Sequence, residues 1–198
     1  MSFPSIYLAS GSPRRHEILL QMGVDHEVLN IPAPPGEDEP WLPDEDAAVY
    51  VRRTAREKAI RARAWVAVQH ASIDANRPIL TADTTVILEG DILGKPDDEQ
   101  HAWQLLARLS GTTHAVHTAV VLSAGERLLE DVSITEVRFK TLTDAEIHDY
   151  CASGEPMGKA GAYGIQGKAG MFIEHISGSY TGVMGLPMFE TARLLRRL

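Results

Sequence analysis

Two adjacent arginines at the start of a predicted helix are the first residues in this sequence that could bind an anion. The segment LASGSPRR ends an apolar run at Ala9, and Ser12 followed by Pro13 is a typical helix start. Arg14 and Arg15 therefore fall in the first helical turn, where backbone N–H groups already make the end partly positive. A cation there costs about 0.3–1 kcal/mol. Either both arginines are solvated at this small cost, or they help to hold an anion at the helix N-terminus.

A single carboxylate interrupts the apolar and β-branched run LTADTTVIL. Asp83 is predicted to lie in a buried strand, where a carboxylate is costly unless it is paired, hydrogen-bonded or close to a metal ion. One interpretation is a strand-end aspartate that caps a neighbouring loop. The other is a general base or metal ligand at a cleft, and the polar neighbours Thr84 and Thr85 favour it.

Two lysines and an acidic loop are further candidates for contacts with phosphate and metal. Lys58 lies on one face of a predicted helix with apolar residues, so its ammonium group either reaches solvent along that face or points into a phosphate pocket. Lys95, in LGKP, is by itself a surface loop lysine. The acidic residues 37–39 lie in a proline-rich loop, where carboxylates are either solvated or coordinate Mg²⁺ together with substrate phosphates.

Glycines recur at every third position in the segment GKAGAYGIQGKAG, between residues 158 and 170. The segment is too short and too poor in proline for collagen, and it lacks the GxxxxGK[ST] pattern of a P-loop. The backbone is therefore expected to run close either to the core or to a ligand. Gln166 has amide donors and an acceptor, so it can bind the edge of a base.

The elements that must position these residues alternate between helices and strands. Helices are predicted at 13–22, 46–69, 98–109, 143–151 and from Pro187 onward, and Thr143 with Glu146 predicts a capping box at the start of the fourth. Strands are predicted at 3–9, on both sides of a turn at 89–91, at 113–123, 128–140 and 171–176. Residues 31–43, 154–170 and 177–187 are expected to be loops. This interleaving predicts an α/β fold with a mixed sheet.

Composition limits the classes of protein to be considered. A chain of 198 residues with 44% hydrophobic residues suits one compact domain or a domain with two lobes. The net charge of −8 argues against non-specific binding to nucleic acid. The sequence contains one cysteine and no apolar run near the roughly 20 residues that span a bilayer, and its N-terminus lacks a secretory pattern. We expect a cytoplasmic protein with no membrane partner and no nucleic-acid partner.

Five segments, in this order, closely resemble the Maf family of nucleoside triphosphate pyrophosphatases. They are LASGSPRRHEILLQMG, AREKA, ADTTVILEGDILGKP, LSGTTHAVHTAV and GEPMGKAGAYGIQGKAGMFIEHISGSYTGVMGLP. The resemblance implies one domain over 1–198, with an elongated two-lobed α/β fold similar to inosine-triphosphate pyrophosphatases and an active site in the cleft between the lobes. It also implies hydrolysis of a nucleoside triphosphate to the monophosphate and pyrophosphate, with Mg²⁺ or Mn²⁺ as cofactor.

The resemblance assigns roles where the motifs match. Asp83 would accept the proton of the attacking water and would also contact the metal ion. The implied substrate-binding residues are Ser10, Ser12, Arg14, Arg15, Lys58, Thr84, Lys95 and Gln166. The acidic position that follows the second strand in the family matches Glu39. Because the insertion PAPPGE lengthens this region, Glu37 and Asp38 remain alternatives.

Three positions distinguish the subgroups of the family. Arg14, Thr84 and Gln166 match the subgroup that prefers dTTP and UTP. The subgroup resembling 7-methyl-GTP pyrophosphatases instead has a tryptophan after SP, the pair DQ at 83–84 and a glutamate near residue 166. The resemblance therefore implies a dTTP/UTP pyrophosphatase that also acts on modified pyrimidine nucleotides and so prevents their incorporation. The family name adds a role in cell-division arrest.

Two alternatives to this activity remain open at the level of the sequence. One is an enzyme of the 7-methyl-GTP type. The other is a regulator of septum formation that binds a nucleotide without hydrolysing it. Homodimers are common for such folds, and Leu194, Leu195 and Leu198 predict a small apolar patch at the C-terminus.

Overall fold

A computed structural model describes residues 3–34, 40–43, 45–69 and 73–198. The strands in these residues are β1 (Ile6–Leu8), β2 (His26–Val28), β3 (Ile79–Leu88), β4 (Asp91–Leu93), β5 (Thr113–Ala124), β6 (Arg127–Phe139) and β7 (Ile173–Ser177). The helices are α1 (Pro13–Gln21), α2 (Ala47–Val68), α3 (Glu99–Leu109), α4 (Asp144–Ala152), α5 (Tyr180–Met184) and α6 (Met188–Leu195). Short 3₁₀ turns lie at Ala160–Ala162 and Lys168–Phe172.

The strands form one mixed sheet in the order β2-β1-β3-β5-β6-β7, with β4 paired to β3. Strand β1 is parallel to both β2 and β3, whereas the pairs β3–β4 and β6–β7 are antiparallel. The predicted α/β fold with a mixed sheet is therefore confirmed. Among the described residues, no helix combines the length and the apolar character needed to cross a lipid bilayer.

The chain divides into two compact units. The first comprises the described residues of Met1–Asp83, Thr118–Val132 and Gly185–Leu198, and the second comprises Thr84–His117 and Ser133–Met184. In the first unit, the apolar face of α2 packs on strands through small side chains. Val51, Ala55 and Ala59 of α2 contact Ala119 and Val121 of β5. Alanine lets the helix axis come close to the sheet, which brings the polar residues of the same helix face within reach of β3.

In the second unit, aromatic rings form the centre of the core. The ring of Phe139 lies 4.9 Å from that of Tyr163, and the ring of Tyr150 lies 5.3 Å from that of Phe172. His114 Nε2 forms a 2.8 Å hydrogen bond with the Tyr163 hydroxyl, and burial lowers the pKa of His114 to about 4. His114 is thus a neutral core residue of β5, and the glycine-rich segment is joined to the core through Tyr163.

Three details differ from the sequence predictions. Strand β2 is not predicted, and the predicted loop 177–187 contains helix α5, which begins where Ser179 Oγ accepts a hydrogen bond from the Gly182 amide. The expected C-terminal apolar patch is wrong. Leu194 and Leu195 lie 0% and 2% exposed on the core-facing side of α6, and Leu198 alone of the three leucines is exposed.

The N-terminus of α4 carries the predicted capping box. The Thr143 hydroxyl accepts a 3.3 Å hydrogen bond from the Glu146 amide, and Glu146 Oε2 accepts a 2.9 Å bond from the Thr143 amide. Thr143→Ala should therefore lower the free energy of unfolding by about 1 kcal/mol, measured by urea denaturation. Asp144→Asn on the same turn should change it by less than about 0.5 kcal/mol. Equal losses in both variants would contradict the capping role.

Candidate active site

Asp83 and Lys58 form a buried ion pair in the first unit. Lys58 Nζ donates a 2.7 Å hydrogen bond to Asp83 Oδ1, and the two side chains are 18% and 5% exposed. The packing of β3 against α2 brings these two side chains together. The Thr81 hydroxyl donates a 3.0 Å hydrogen bond to the Ala55 carbonyl, which fixes the position of the strand along the helix. Thr81 and Asp83 lie on the same face of the strand, and Lys58 follows Ala55 by about one helical turn. Asp83 thus lies in a buried strand, and the Lys58 ammonium group points to its carboxylate.

The electrostatic surroundings of Asp83 favour the carboxylate form. Burial by itself raises the pKa of this carboxyl group, but the ammonium of Lys58, the guanidinium of Arg15 and a hydrogen bond from Thr54 together hold the pKa below its ordinary value. The group is therefore ionised at neutral pH although it is almost inaccessible to water. A buried carboxylate that depends on several cations is typical of a site that handles charged ligands.

Arg15 is held in place by the loop that precedes α1 and by a distant loop. Its Nε donates a 2.8 Å hydrogen bond to the Gly185 carbonyl, and its Nη1 donates a 3.1 Å bond to Ser10 Oγ. The amide of Ser12 donates to the same Ser10 oxygen at 3.2 Å. Of the two interpretations of the arginines, simple solvation is therefore wrong for Arg15. Ser12 is the N-cap residue as predicted, but among the described residues its hydroxyl makes no capping hydrogen bond.

Three of the other predicted substrate-binding residues, Thr84, Lys95 and Gln166, belong to the second unit. Thr84, half-buried, follows Asp83 in β3, and Lys95 is exposed just after β4. The amide of Gly161 donates a 3.0 Å hydrogen bond to the carbonyl of Gly94, which precedes Lys95. Gln166 is exposed in a turn of the glycine-rich segment. One segment thus carries Gln166 and holds the turn that carries Lys95.

Gly161 is the residue that lets this segment approach β3. Its φ is +66°, a left-handed conformation that favours glycine, and a Cβ at this position would lie 2.9 Å from Val86 Cγ1. The sequence left open whether the glycines adjoin the core or a ligand. Gly161 adjoins the core at Val86. Its close approach lets its amide bind the Gly94 carbonyl, which positions the turn that carries Lys95.

The described residues that could hold a divalent cation at this site are few. No three His, Cys, Asp or Glu residues lie together as a ligand group in the described part of the chain. Glu37, Asp38 and Glu39 lie outside the described residues. Asp83 supplies a hard oxygen ligand, and Mg²⁺ typically uses one or two carboxylates together with substrate phosphates. The donor chemistry of Asp83 therefore fits Mg²⁺ or Mn²⁺.

Two participants in the site were missed in the sequence. Thr54, which hydrogen-bonds Asp83, precedes Lys58 by four residues, and helical periodicity places both on one face. That signal was available in the sequence. Gly185 is 170 residues from Arg15, and no local pattern indicates their contact.

The two partners of the buried pair should differ in their importance for stability. Lys58→Met leaves the more deeply buried carboxylate without its main counter-charge, and we expect a loss of about 3 kcal/mol or more in the free energy of unfolding at pH 7. Asp83→Asn leaves the more exposed lysine, and the expected loss is about 1–3 kcal/mol. Urea denaturation of the metal-free variants measures both values. A larger loss for Asp83→Asn would contradict this order.

The cost of Lys58→Met should also depend on pH. The pKa of Asp83 in the folded protein lies below its unfolded value of about 3.9, so the stabilisation by the pair is present above that value and is lost as pH falls through the folded pKa. The difference in unfolding free energy between wild type and Lys58→Met should therefore shrink from pH 7 toward pH 3. A difference that is constant over this range would mean that Lys58 does not stabilise the ionised form.

The two arginines should also differ in their effect on stability. Arg15→Ala removes hydrogen bonds to Gly185 and Ser10 and should cost about 1–2 kcal/mol in the ligand-free protein. Arg14 has no hydrogen-bond or ion-pair partner among the described residues, and Arg14→Ala should change stability by less than about 0.5 kcal/mol. Thermal or urea unfolding of the pair tests this. Equal stability of Arg15→Ala and wild type would restore the interpretation of both arginines as solvated.

Comparisons with known proteins agree with the resemblance. The sequence profile described as Maf-like protein matches residues 5–198. The dTTP/UTP pyrophosphatase of Bordetella parapertussis is 62% identical over 193 residues, which cover 98% of this chain and 92% of the relative. The dTTP/UTP pyrophosphatase of Chromobacterium violaceum is 54% identical over 190 residues, covering 96% and 92%. That of Escherichia coli O157:H7 is 51% identical over 191 residues, covering 96% and 91%. Because these matches extend over nearly the whole chain, the protein belongs to the Maf family.

Proposed function

We propose that this protein hydrolyses dTTP and UTP to the nucleoside monophosphate and pyrophosphate, with Asp83 as the group that activates water. The observation that carries the proposal is the buried Asp83 carboxylate, which is held ionised by Lys58 and Arg15. The names of relatives that share 51–62% of their residues with this chain support the choice of substrate.

The reaction needs two contributions from the chain's own residues. Asp83 accepts a proton from a water molecule that attacks the phosphoanhydride, and the bond between the α- and β-phosphates breaks so that pyrophosphate leaves. Lys58, Arg15, Arg14 and Lys95 bind the triphosphate and offset its charge. In phosphoryl transfer such positioning and charge neutralisation account for most of the catalysis.

The two cations that lower the pKa of Asp83 link substrate binding to the activation of water. In the ligand-free protein, Lys58 and Arg15 direct positive charge at the carboxylate. When the triphosphate binds the same two side chains, it shares their attraction, and the carboxylate becomes a better proton acceptor. Substrate binding therefore reduces the effect of Lys58 and Arg15 on Asp83, which in the ligand-free protein makes this carboxylate a weak base.

The cofactor proposal follows from the chemistry of the ligands. Asp83, with Glu39 or its neighbours Glu37 and Asp38, would hold Mg²⁺ or Mn²⁺. When bound, such an ion neutralises phosphate charge and lowers the pKa of bound water. Ser10 and Ser12 would lie beside the phosphates in the loop before α1.

Selection of the base is assigned to Arg14, Thr84 and Gln166. These residues match the dTTP/UTP subgroup, and modified pyrimidine nucleotides are further proposed substrates. We also propose a cytoplasmic enzyme that keeps such nucleotides out of nucleic acid, with no nucleic-acid or membrane partner. A homodimer and a part in cell-division arrest remain predictions.

The decisive experiment is product analysis with the purified protein and Mg²⁺ or Mn²⁺. Pyrophosphate and monophosphate should appear in equal amounts from dTTP and UTP, and Asp83→Asn should lower kcat by about 10²- to 10⁴-fold. Asp91→Asn is the matched control, because Asp91 is an exposed residue paired with Arg108, and it should act like wild type.

Each of the other outcomes has a distinct meaning. Orthophosphate as the first product, measured without added pyrophosphatase, would overturn the proposal. Tight binding of UTP without turnover under every metal tested would favour the septum regulator. Faster hydrolysis of 7-methyl-GTP than of UTP at equal concentration would assign the enzyme to the other subgroup.

A further inference from the structure

The carboxylate of Glu155 binds two parts of the second unit at once. Its Oε1 accepts a 3.0 Å hydrogen bond from the Tyr150 hydroxyl, and its Oε2 accepts a 3.2 Å bond from the amide of Lys168. Tyr150 is on α4, whereas Lys168 is in the glycine-rich segment. The carboxylate therefore ties the end of a helix to the chain that follows Gln166.

Tyr150 extends this connection to the other side of Gln166. Its hydroxyl oxygen accepts a 3.3 Å hydrogen bond from the amide of Gly164. The backbone amides two residues before and two residues after Gln166 are therefore both held. The amide of Gly164 is bound to Tyr150, and the amide of Lys168 is bound to Glu155. The amide of Gly167 also donates a 3.0 Å bond to the Gly164 carbonyl, which closes a turn with Gln166 in its third position.

Gly167 shows how closely the carboxylate fits against this turn. A Cβ on Gly167 would lie 2.0 Å from Glu155 Oε1 and 2.6 Å from the carboxyl carbon. The backbone of Gly167, with φ −103° and ψ −153°, is outside the left-handed region. A side chain at this position would therefore force the Glu155 carboxylate to move, whereas the backbone conformation itself does not call for glycine.

The residue that holds the turn is buried in the core, and the Gln166 amide lies beside Gly164 of that turn. Tyr150 is 3% exposed, and its ring packs edge-on against Phe172 in the core. The Nε2 of Gln166 is 3.2 Å from the position that a Cβ of Gly164 would take. The amide group of Gln166 thus folds over the residue whose backbone Tyr150 holds. Movement of Gly164 or Lys168 would move this amide.

We propose that Glu155 is a positioning residue for Gln166, and that its two hydrogen bonds determine how well the protein discriminates between nucleobases. The inference rests on the proposed function, since Gln166 reads a base only if a nucleotide binds. Glu155 acts through the chain, because its two carboxylate oxygens accept hydrogen bonds from the Tyr150 hydroxyl and the Lys168 amide. Its removal should therefore weaken selection more than it slows hydrolysis.

The test measures kcat/KM for UTP divided by kcat/KM for GTP. In Glu155→Ala this ratio should fall about tenfold, mainly through a higher KM for UTP, while kcat stays within about threefold of wild type. Tyr150→Phe keeps the ring in the core but removes the hydroxyl, and it should shift the ratio in the same direction. Glu155→Gln keeps the length of the side chain and one carbonyl acceptor, so it should restore part of the ratio.

Thr143→Ala is the control for general destabilisation. It weakens the same helix, α4, at its opposite end without touching the turn that carries Gln166. Its ratio should equal that of wild type. The inference is overturned if Thr143→Ala lowers the ratio as much as Glu155→Ala, or if Glu155→Ala discriminates like wild type.

A double-mutant cycle tests the contact between Glu155 and Gly167 directly. Gly167→Ala forces the carboxylate away and should lower the ratio in the wild-type background. In the Glu155→Ala background the three atoms nearest to the new Cβ are absent, so the same change should have little further effect. Additive effects would mean that the two residues act independently, which contradicts the inference.

The failure of the proposed function can be recognised separately. If wild type releases no pyrophosphate from dTTP or UTP, equilibrium binding of UTP and GTP replaces the kinetic ratio. Preferential binding of UTP that Glu155→Ala loses would support the role of Glu155 in a protein without turnover. Equal binding of UTP and GTP by wild type would overturn the role of Glu155 together with that of Gln166.

Discussion

The ion pair between Lys58 and Asp83 is the constraint on which the first unit depends. Removing two charges from water costs more than their attraction readily repays, and apolar residues of similar volume often stabilise a fold better. The pair also requires α2 to lie close to β3 in one register, which Ala55 and the Thr81 hydroxyl provide. A helix face made for packing alone would need neither the charges nor this register. The proposed binding of a charged ligand accounts for both, whereas packing alone does not.

Arg15 places a second cation under a related constraint. It lies at the positive end of α1, an unfavourable position for a cation, and it contributes to the charge around Asp83. Hydrogen bonds to Ser10 and to the Gly185 carbonyl hold its guanidinium group there. The ligand-free protein therefore holds these two cations, Lys58 and Arg15, in place, so that the proposed binding of an anion would cost little further side-chain entropy at them.

The parts of the structure that local signals determine were predicted well. Helix α2 follows from its periodicity, and α4 follows from its capping box. Strand β2 was missed because three residues are too few to show an alternating pattern. In the site, Asp83 and Lys58 were each singled out, but their contact joins residues 25 apart and depends on the register of β3. Such pairings arise from tertiary packing, which single-sequence patterns do not encode.

The glycine-rich segment shows that one regular spacing can arise from different physical causes. Glycines 164, 167 and 170 are joined by successive amide-to-carbonyl bonds of 3.0 Å that span three residues, so their spacing is that of consecutive turns. Gly161 instead meets the side chain of Val86, and Gly167 meets the carboxylate of Glu155. The two interpretations of the glycine-rich segment, contact with the core and proximity to a ligand, are therefore compatible. The segment uses buried contacts to hold exposed side chains, and the precision of any base selection by Gln166 depends on those contacts.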